Sequence, residues 1–278
     1  MINSKELLEE AKINRKTIFQ LNTNNLETTK YILEKCEELK ENVILGVSEG
    51  AIKYMGGYNV VYSVVKSLIN DLNITIKVVL HLDHGSSFDS CRKAVDAGFT
   101  SVMIDASKHN LEENIRITSE VVKYAKLRNV TVEGEIGGIG GVEDNVASGI
   151  VYANVEDCIN YCNETKIDSL APAVGSVHGF YKEEPNLQFE LIKEISLKTN
   201  IPLVLHGGTG IPNNDLLKAV DNGISKINVN TELQDSWTKG LRKFLEENKE
   251  VYDPRKIISS GEKNMKEAIQ NKIELFRR

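Results

Sequence analysis

Three of the five histidines lie where predicted β-strands end, and together they could hold a metal ion. His84 and His206 close predicted strands, and His178 follows another strand across a short loop. Three imidazoles that converge on zinc leave the fourth tetrahedral position open for a substrate, which is the arrangement of a catalytic site. The alternative is three separate histidines, each satisfied by hydrogen bonds. Because all three occupy strand ends, the pattern favours a zinc site.

Two carboxylates are placed to act beside such a metal. Asp83 is adjacent to His84, and Glu143 follows a glycine-rich segment, residues 137–141, whose composition predicts a mobile flap over bound substrate. A metal polarises a carbonyl group, so that a carboxylate can remove a neighbouring proton. The combination indicates aldol or isomerase chemistry.

Two segments have the composition of phosphate-binding turns. Residues 207–210 read Gly-Gly-Thr-Gly and precede a predicted helix, whereas residues 228–231 read Asn-Val-Asn-Thr and open another. Backbone N–H groups at such turns, together with the positive end of the helix dipole, attract anions. A glycine turn without a ligand is the alternative. A metal beside a phosphate site points to chemistry on a phosphorylated sugar.

A lysine that forms a Schiff base with the substrate would be the other route to aldol chemistry. No lysine stands at the C-terminal end of a predicted strand, since Lys77 opens the third strand and Lys226 lies near the start of the eighth. The metal-dependent route is therefore favoured.

The elements that must position these residues alternate along the whole chain. Short β-branched runs are separated by stretches with apolar residues at three- and four-residue spacing, which is typical of helices with one buried face. The predicted strands are 17–22, 43–48, 76–83, 101–105, 130–136, 168–173, 202–206 and 225–230. Eight such units predict a single α/β domain over 1–278, a (β/α)8 TIM barrel with an extra N-terminal helix at 3–12 and a C-terminal helix at 261–276. A doubly wound open sheet is the alternative, but no G-x-G-x-x-G follows the first strand.

A barrel enzyme builds its active site at the C-terminal ends of its strands. Polar residues stand at or just beyond the end of every predicted strand: Asn22, Ser48, Asp83 with His84, Asp105, Glu133 with Glu135, Ser176 with His178, His206, and Asn228 with Asn230. One polar strand end is weak evidence, because a strand can simply reach water there. Polar residues at all eight ends predict a shared site.

Composition excludes several other classes of protein. The 278 residues carry a net charge of −6, which argues against a basic nucleic-acid-binding face. The mean hydropathy is −0.27 and no apolar run reaches a membrane-spanning length, so we expect no membrane span. The N-terminus lacks the pattern of a signal peptide, and Cys36, Cys91, Cys158 and Cys162 form no CxxC pair. We expect a cytoplasmic protein with reduced, mostly packed thiols.

Two histidines fall outside the predicted metal site. His81 lies three residues before His84 and deeper in its strand, so we interpret it as a packed residue that orients a neighbour of the metal. His109 lies in a polar loop beside Lys108, and we expect it to be exposed and without a role.

The motifs resemble those of the class II, zinc-dependent fructose-bisphosphate aldolases. The matching segments are His-Leu-Asp-His-Gly-Ser at 81–86, Gly-Ser-Val-His-Gly at 175–179, Leu-His-Gly-Gly-Thr-Gly at 205–210 and Asn-Val-Asn-Thr at 228–231. Their order and spacing are specific, and the resemblance extends from residues 22–27 to residues 253–256. Tagatose-bisphosphate aldolases and the aldolase of inositol breakdown are close relatives of this family.

The resemblance implies a role for each matching residue. His84, His178 and His206 would hold the zinc, Asp83 would act at the C4 hydroxyl of the substrate, and Glu143 would exchange the proton at the enediolate carbon. Phosphate and substrate contacts would come from Asn22, Ser48, Gly179, Gly207, Gly208, Thr209, Asn228, Val229, Asn230, Thr231 and Arg255, the last serving the second phosphate from this or a neighbouring subunit. Asp105 and Glu135 would bind a second, non-catalytic metal, and a monovalent cation (Na⁺ or K⁺) would lie near the first phosphate. A homodimer or homotetramer is the family's usual assembly.

Two positions and one segment depart from the family pattern. Val142 stands where relatives often carry a polar or acidic residue, which weakens the second metal site. Gly134 replaces a common alanine, and residues 259–264 are more polar than usual, which can alter subunit contacts.

The resemblance implies reversible cleavage of D-fructose 1,6-bisphosphate to dihydroxyacetone phosphate and D-glyceraldehyde 3-phosphate through a zinc-stabilised enediolate. The alternative is tagatose 1,6-bisphosphate or another ketose phosphate with the same mechanism, since the two bisphosphates differ only at C4. A barrel zinc hydrolase usually carries His-x-His on its first strand, which is absent from residues 17–22. A non-catalytic binding module would need a broken set of site residues, and none of the expected residues is missing.

Overall fold

The computed structural model describes residues 1–143, 146–181 and 184–277, apart from the side chains of residues 142, 143 and 146–148. The helices are α1 Lys5–Ile13, α2 Leu26–Leu39, α3 Glu49–Met55, α4 Tyr58–Asp71, α5 Phe88–Ala97, α6 Leu111–Lys126, α7 Val155–Thr165, α8 Phe189–Thr199, α9 Asn213–Asp221, α10 Thr231–Glu247, α11 Pro254–Ser259 and α12 Glu262–Glu274. The strands are β1 Ile18–Asn22, β2 Val43–Ser48, β3 Val78–Gly85, β4 Ser101–Ile104, β5 Thr131–Ile136, β6 Gly140–Glu143, β7 Val146–Ser148, β8 Ser169–Pro172, β9 Val177–His178, β10 Leu203–Leu205 and β11 Ile224–Val229.

Eight parallel strands close into a barrel in the order β1-β11-β10-β8-β5-β4-β3-β2. The predicted (β/α)8 fold is confirmed, and the open-sheet alternative is wrong because β1 pairs with β11 as well as with β2. Helix α1 precedes the barrel and α12 follows it, as predicted.

Alternation along each strand sorts side chains between the two faces of the barrel wall. On β1, Phe19 and Leu21 belong to the large hydrophobic cluster that includes residues of the surrounding helices. Gln20 and Asn22 take the other face, where Asn22 contacts Asp83 from β3. The interior of the barrel is therefore polar toward the C-terminal ends of the strands.

Helix α1 closes the opposite end of the barrel. Leu7 and Leu8 pack in a small cluster with Ile44 and Val79, which stand near the starts of β2 and β3. This apolar layer excludes water from below, so the polar interior opens only toward the C-terminal strand ends.

The end of the segment predicted to be a mobile flap takes part in a small three-stranded sheet. Strand β6 pairs in antiparallel fashion with β7 and in parallel with β9, so that Gly141 lies opposite His178. Gly141 has a φ of 105°, and a Cβ there would lie 2.2 Å from the carbonyl oxygen of His178. The glycines therefore permit close backbone contact with the strand that carries a predicted metal ligand. Sequence reasoning missed this because it took the loops after two strands as independent.

Two other helices were not predicted as separate elements. Helix α3 begins directly after β2, where Ser48 accepts a hydrogen bond from the backbone N–H of Ala51. Helix α11 begins at Pro254 after the N-cap Asp253. In the part of the chain that the structure describes, no helix has the length and apolarity needed to cross a membrane. All four cysteines are free and buried, as expected.

Candidate active site

The three predicted metal ligands converge at the mouth of the barrel. Nε2 of His84 lies 2.9 Å and Nε2 of His178 lies 3.4 Å from Nδ1 of His206. A tetrahedral zinc with bonds of about 2.0–2.1 Å separates its nitrogen ligands by about 3.3 Å. The spacing of the three rings therefore fits a single metal ion.

The hydrogen bonds on the far sides of two rings decide which nitrogen faces the centre. Nε2 of His206 lies 3.0 Å from the Glu133 carboxylate, and Nδ1 of His84 lies 3.2 Å from that of Asp105. A carboxylate accepts the N–H, so the other nitrogen of each ring presents a lone pair. Two lone pairs that face each other repel unless a cation lies between them. The donor set therefore fits a divalent metal.

Glu133 links the metal site to a buried lysine. Its second oxygen accepts a hydrogen bond from Nζ of Lys226 at 2.6 Å, and both side chains are almost completely buried. Burial alone would raise the pKa of Glu133, but the Lys226 ammonium and the His206 hydrogen bond lower it well below its usual range. Glu133 stays ionised and holds the His206 ring in one orientation.

Asp83 lies beside the histidine cluster and is held by an amide. Nδ2 of Asn22 donates to Oδ2 of Asp83 at 2.7 Å, and Oδ1 of Asn22 accepts from Nε2 of Gln20 at 2.9 Å. Asp83 is buried at the end of β3, next to His84. A carboxylate in this position can take up a proton from a group bound at the metal.

A second group of potential ligands shares one histidine with the first. Ligand atoms of His84, Asp105 and Glu135 lie within 4.8 Å of one another. Burial and the charge of Asp105 raise the pKa of Glu135 to about 8. Burial would also raise the pKa of Asp105, but the hydrogen bonds from His84 and Ser107 lower it. Nδ1 of His84 already bonds Asp105 and is not available to a second metal. A second metal would therefore be bound by the carboxylates of Asp105 and Glu135.

A cavity of about 410 Å³ opens at Asn22, the residue that donates to Asp83. Its lining includes three of the predicted substrate contacts, namely Asn22, Ser48 and Asn230, together with Tyr54 and Trp237. In the part of the chain described, Oδ1 of Asn230 is buried without a hydrogen-bond partner. The cavity thus presents polar groups suited to a hydroxylated ligand.

The predicted phosphate turns lie together, but several of their groups are already bonded. The N–H of Gly208 donates to the carbonyl oxygen of Asn228, and the hydroxyl of Thr209 accepts from the N–H of Glu232. Val229 belongs to the hydrophobic core, so its side chain cannot contact a ligand. What remains for an anion is backbone at Gly207 and around the N-terminus of α10.

The remaining predicted contacts of these turns also lie near the metal ligands. Gly179 directly follows His178, and Thr231 is the first residue of α10. Nδ2 of Asn228 lies 3.3 Å from Nε2 of His206. Asn228 is therefore in contact with a predicted metal ligand, and Gly179 is the direct chain neighbour of another.

Two predicted site residues are not brought to this mouth by described side-chain contacts. Glu143 ends β6, but its side chain lies outside the described residues. Arg255 is exposed, and its guanidinium group donates to the carboxylate of Asp253 on the same helix start. Among the described residues, no hydrogen bond or ion pair of Arg255 reaches the metal ligands.

Sequence reasoning missed Gln20 and the pairing of Lys226 with Glu133, which lie in a layer of polar residues beneath the site. Gln20, Glu133 and Lys226 each stand two residues before a polar strand-end residue, and all three are buried. Their period of two was the available signal, because residues i and i+2 share a face of a strand. His81 belongs to the same layer: it is buried, and Nδ1 lies 2.8 Å from the hydroxyl of Ser101. His109 is exposed, as expected.

The chain resembles known aldolases over almost its whole length. It is 53% identical over 277 residues to a fructose-bisphosphate aldolase from Geobacillus stearothermophilus, covering 99% of this chain and 96% of that protein. The solved structure of the YdjI aldolase from Escherichia coli K12 matches with a TM-score of 0.86 and 30% identity, covering 99% of this chain and 97% of that one. The fructose-bisphosphate aldolase from Campylobacter jejuni matches with a TM-score of 0.81 and 25% identity, covering 99% and 95%.

The family model described as fructose-bisphosphate aldolase class-II matches residues 2–278. Metal dependence is a property of this class, and the histidine cluster supplies the corresponding donor set. The sequence match, the barrel and the donor set agree, and the chain belongs to the class-II fructose-bisphosphate aldolase family.

Proposed function

We propose that this protein reversibly cleaves fructose 1,6-bisphosphate into dihydroxyacetone phosphate and glyceraldehyde 3-phosphate at the cluster of His84, His178 and His206. One observation carries the proposal: the ring nitrogens of these histidines converge on one point, and the buried carboxylate Asp83 directly precedes His84 in β3. When bound there, a divalent metal such as zinc polarises the ketose carbonyl and stabilises charge on its oxygen.

Two carboxylates of the protein, Asp83 and Glu143, transfer the protons in the reaction. In cleavage, Asp83 accepts the proton of the C4 hydroxyl as the C3–C4 bond breaks, and the C4 oxygen becomes the aldehyde oxygen. Asn22 holds the Asp83 carboxylate through its 2.7 Å hydrogen bond. Glu143 returns a proton to C3 of the three-carbon fragment, which completes dihydroxyacetone phosphate. The sum adds and removes no atoms, as a reversible aldol reaction requires.

Binding of the substrate rests on three groups of contacts. The first phosphate is held by backbone of Gly179, Gly207 and the N-terminus of α10 at Asn230 and Thr231. Gly208, bonded to Asn228, and Thr209 support the turn. Asn22 and Ser48 face the sugar in the cavity described above. Arg255 serves the second phosphate, and because it is exposed on this chain, we propose that it acts in a homodimer or homotetramer. Na⁺ or K⁺ accompanies the first phosphate, and Asp105 with Glu135 can bind a second metal.

The decisive measurement is the initial rate of fructose 1,6-bisphosphate cleavage before and after chelation, with tagatose 1,6-bisphosphate in parallel. We expect cleavage of the fructose substrate to be lost with the chelator and restored by zinc. Faster cleavage of tagatose 1,6-bisphosphate would keep the mechanism and replace the substrate. Activity that survives complete removal of metal would refute the three-histidine site.

Two variants separate the metal from the proton transfer. His84→Ala should lose metal and activity together. Asp83→Asn should retain the metal and lose most of kcat, by about 10²-fold or more, as expected for removal of a general base. A fully active Asp83→Asn protein with bound metal would contradict the role given to Asp83.

A further inference from the structure

We propose that Gln20 is a positioning residue for aldol cleavage, acting on Asp83 through Asn22. The inference rests on the proposed role of Asp83 as the group that takes the C4 hydroxyl proton. It adds a residue from the layer beneath the site, whose side chain does not line the cavity.

The three side chains form a directed chain of hydrogen bonds. Nε2 of Gln20 donates to Oδ1 of Asn22 at 2.9 Å, and Nδ2 of Asn22 donates to Oδ2 of Asp83 at 2.7 Å. Gln20 has no solvent exposure, and Asp83 is almost completely buried. Because water does not compete at Gln20, this contact sets the orientation of the Asn22 amide.

The direction of the chain follows from the charge at its end. A carboxylate only accepts hydrogen bonds, so Asn22 must turn its NH₂ group toward Asp83 and its oxygen toward Gln20. Gln20 must then present its own NH₂ group. Among the described residues, Nε2 of Gln20 is the one side-chain donor to Oδ1 of Asn22. Without it, a flipped Asn22 would place an oxygen against the carboxylate.

The neighbouring strand leaves room for this arrangement. Gly46 on β2 pairs with Asn22 in the barrel, and a Cβ at Gly46 would lie 2.4 Å from Nε2 of Gln20 and 2.7 Å from Oδ1 of Asn22. The φ of Gly46 is not in the left-handed region, so glycine is not required there by backbone conformation. It is required because a larger residue would collide with the Gln20 and Asn22 side chains. Gly46 therefore provides the space in which Gln20 forms its hydrogen bond with Asn22.

The test separates cleavage from a partial reaction that does not need the C4 proton. The enzyme should also exchange a C3 hydrogen of dihydroxyacetone phosphate with solvent deuterium, a step that uses the metal site without any transfer at C4. Gln20→Met keeps the length of the side chain but removes the donor. We expect kcat for cleavage to fall about 10- to 100-fold, because displacement of a catalytic group by about 1 Å costs that much, while KM and the exchange rate change less than about twofold.

Two further variants approach the same contact differently. Gly46→Ala crowds both sides of the Gln20–Asn22 hydrogen bond without changing either residue, and should reproduce the selective loss of cleavage. Gln20→Glu places an oxygen where the donor stood, and should lower kcat at least as much as Gln20→Met. Ile44→Val is the matched control: Ile44 pairs with Gln20 in the sheet but packs in the cluster under the barrel. It should cost about 0.5–1.5 kcal/mol of stability and leave both rates unchanged.

A double variant tests whether Gln20 works through Asp83. In the Asp83→Asn background, Gln20→Met should cause no further loss of the residual cleavage rate, since the group that it positions is gone. The proposal is wrong if Gln20→Met leaves cleavage intact, if it lowers exchange and cleavage equally, or if its effect is undiminished in that background. An Asp83→Asn protein that cleaves normally would instead overturn the proposed role of Asp83, whatever the Gln20 variants do.

Discussion

Nζ of Lys226 lies 2.6 Å from Oε2 of Glu133, and neither side chain is more than 2% exposed. The other oxygen of Glu133 meets the His206 ring. The lysine therefore keeps a buried carboxylate charged directly behind His206, a predicted metal ligand. Its nitrogen is also engaged by Glu133 rather than presented to a substrate as a Schiff base would require.

Removal of the Lys226 side chain should lower the free energy of unfolding. Lys226→Met leaves the Glu133 carboxylate buried without its cation, and loss of one partner of such a pair costs about 3–5 kcal/mol. Denaturant unfolding of the metal-free protein measures this loss. Lys226→Met combined with Glu133→Gln should recover part of it, because the isolated charge is gone. The exposed pair Lys239–Asp235 is the control, and Lys239→Ala should cost less than about 1 kcal/mol.

Tyr181 ties together the two loops that carry His178 and His206. Its hydroxyl accepts from the N–H of Val177 at 3.1 Å and donates to the carbonyl oxygen of Gly207 at 3.1 Å. Tyr181→Phe removes both bonds while it keeps the ring. We expect metal affinity to fall about 10-fold, as for other groups that support metal ligands, in a chelator competition assay. Unchanged affinity would show that the backbone holds the two loops without the tyrosine.

Gly134 stands where the resemblance led us to expect alanine, and Tyr161 explains the difference. A Cβ at Gly134 would lie 2.2 Å from the hydroxyl oxygen of Tyr161, which is buried and bonded to Thr118. Gly134→Ala should therefore destabilise the protein by about 1–3 kcal/mol through overpacking, measured by chemical unfolding. In the Tyr161→Phe background the same substitution should cost less. An equal cost in both backgrounds would mean that the hydroxyl is not the obstacle.

Glu37 should give the protein a pH-dependent stability outside the active site. The Lys40 ammonium, the Thr75 hydroxyl and the N–H groups of Thr75 and Ile76 lower the pKa of Glu37 to about 2. The folded-state pKa is thus below the unfolded value of about 4.3, so its stabilisation is present above that pH and is lost as the pH falls toward 2.

Glu37→Gln tests this dependence. The variant should be less stable near neutral pH and should lose less stability on acidification, as followed by the unfolding midpoint of the metal-free protein. Glu250→Gln, at an exposed position, is the control and should leave the acid dependence as it is. If the unfolding midpoint changes with pH equally in the Glu37→Gln and unsubstituted proteins, Glu37 is not the source of the acid dependence.

Sequence patterns alone were enough to predict the repeating strand–helix order, the closed barrel and the convergence of His84, His178 and His206. Hydrophobic periodicity predicts the strand–helix order, and the presence of eight such units of suitable length predicts the closed barrel. The histidines could be found because parallel strands bring all their C-terminal ends to one mouth, so that distant positions such as 84 and 206 become neighbours by topology alone.

The contacts beneath and beside those residues could not be predicted and are seen in the folded chain. The contacts of Gln20 with Asn22 and of Lys226 with Glu133 depend on the register of strands and on rotamers within a packed interior. Gly140 and Gly141, at the end of the glycine-rich segment, belong to β6, which pairs with β9 in close contact at Gly141. The Lys226–Glu133 contact joins residues 93 positions apart, and the Gln20–Asn22 contact, although only two positions apart, depends on rotamers that no local pattern encodes. These contacts hold the predicted residues in place.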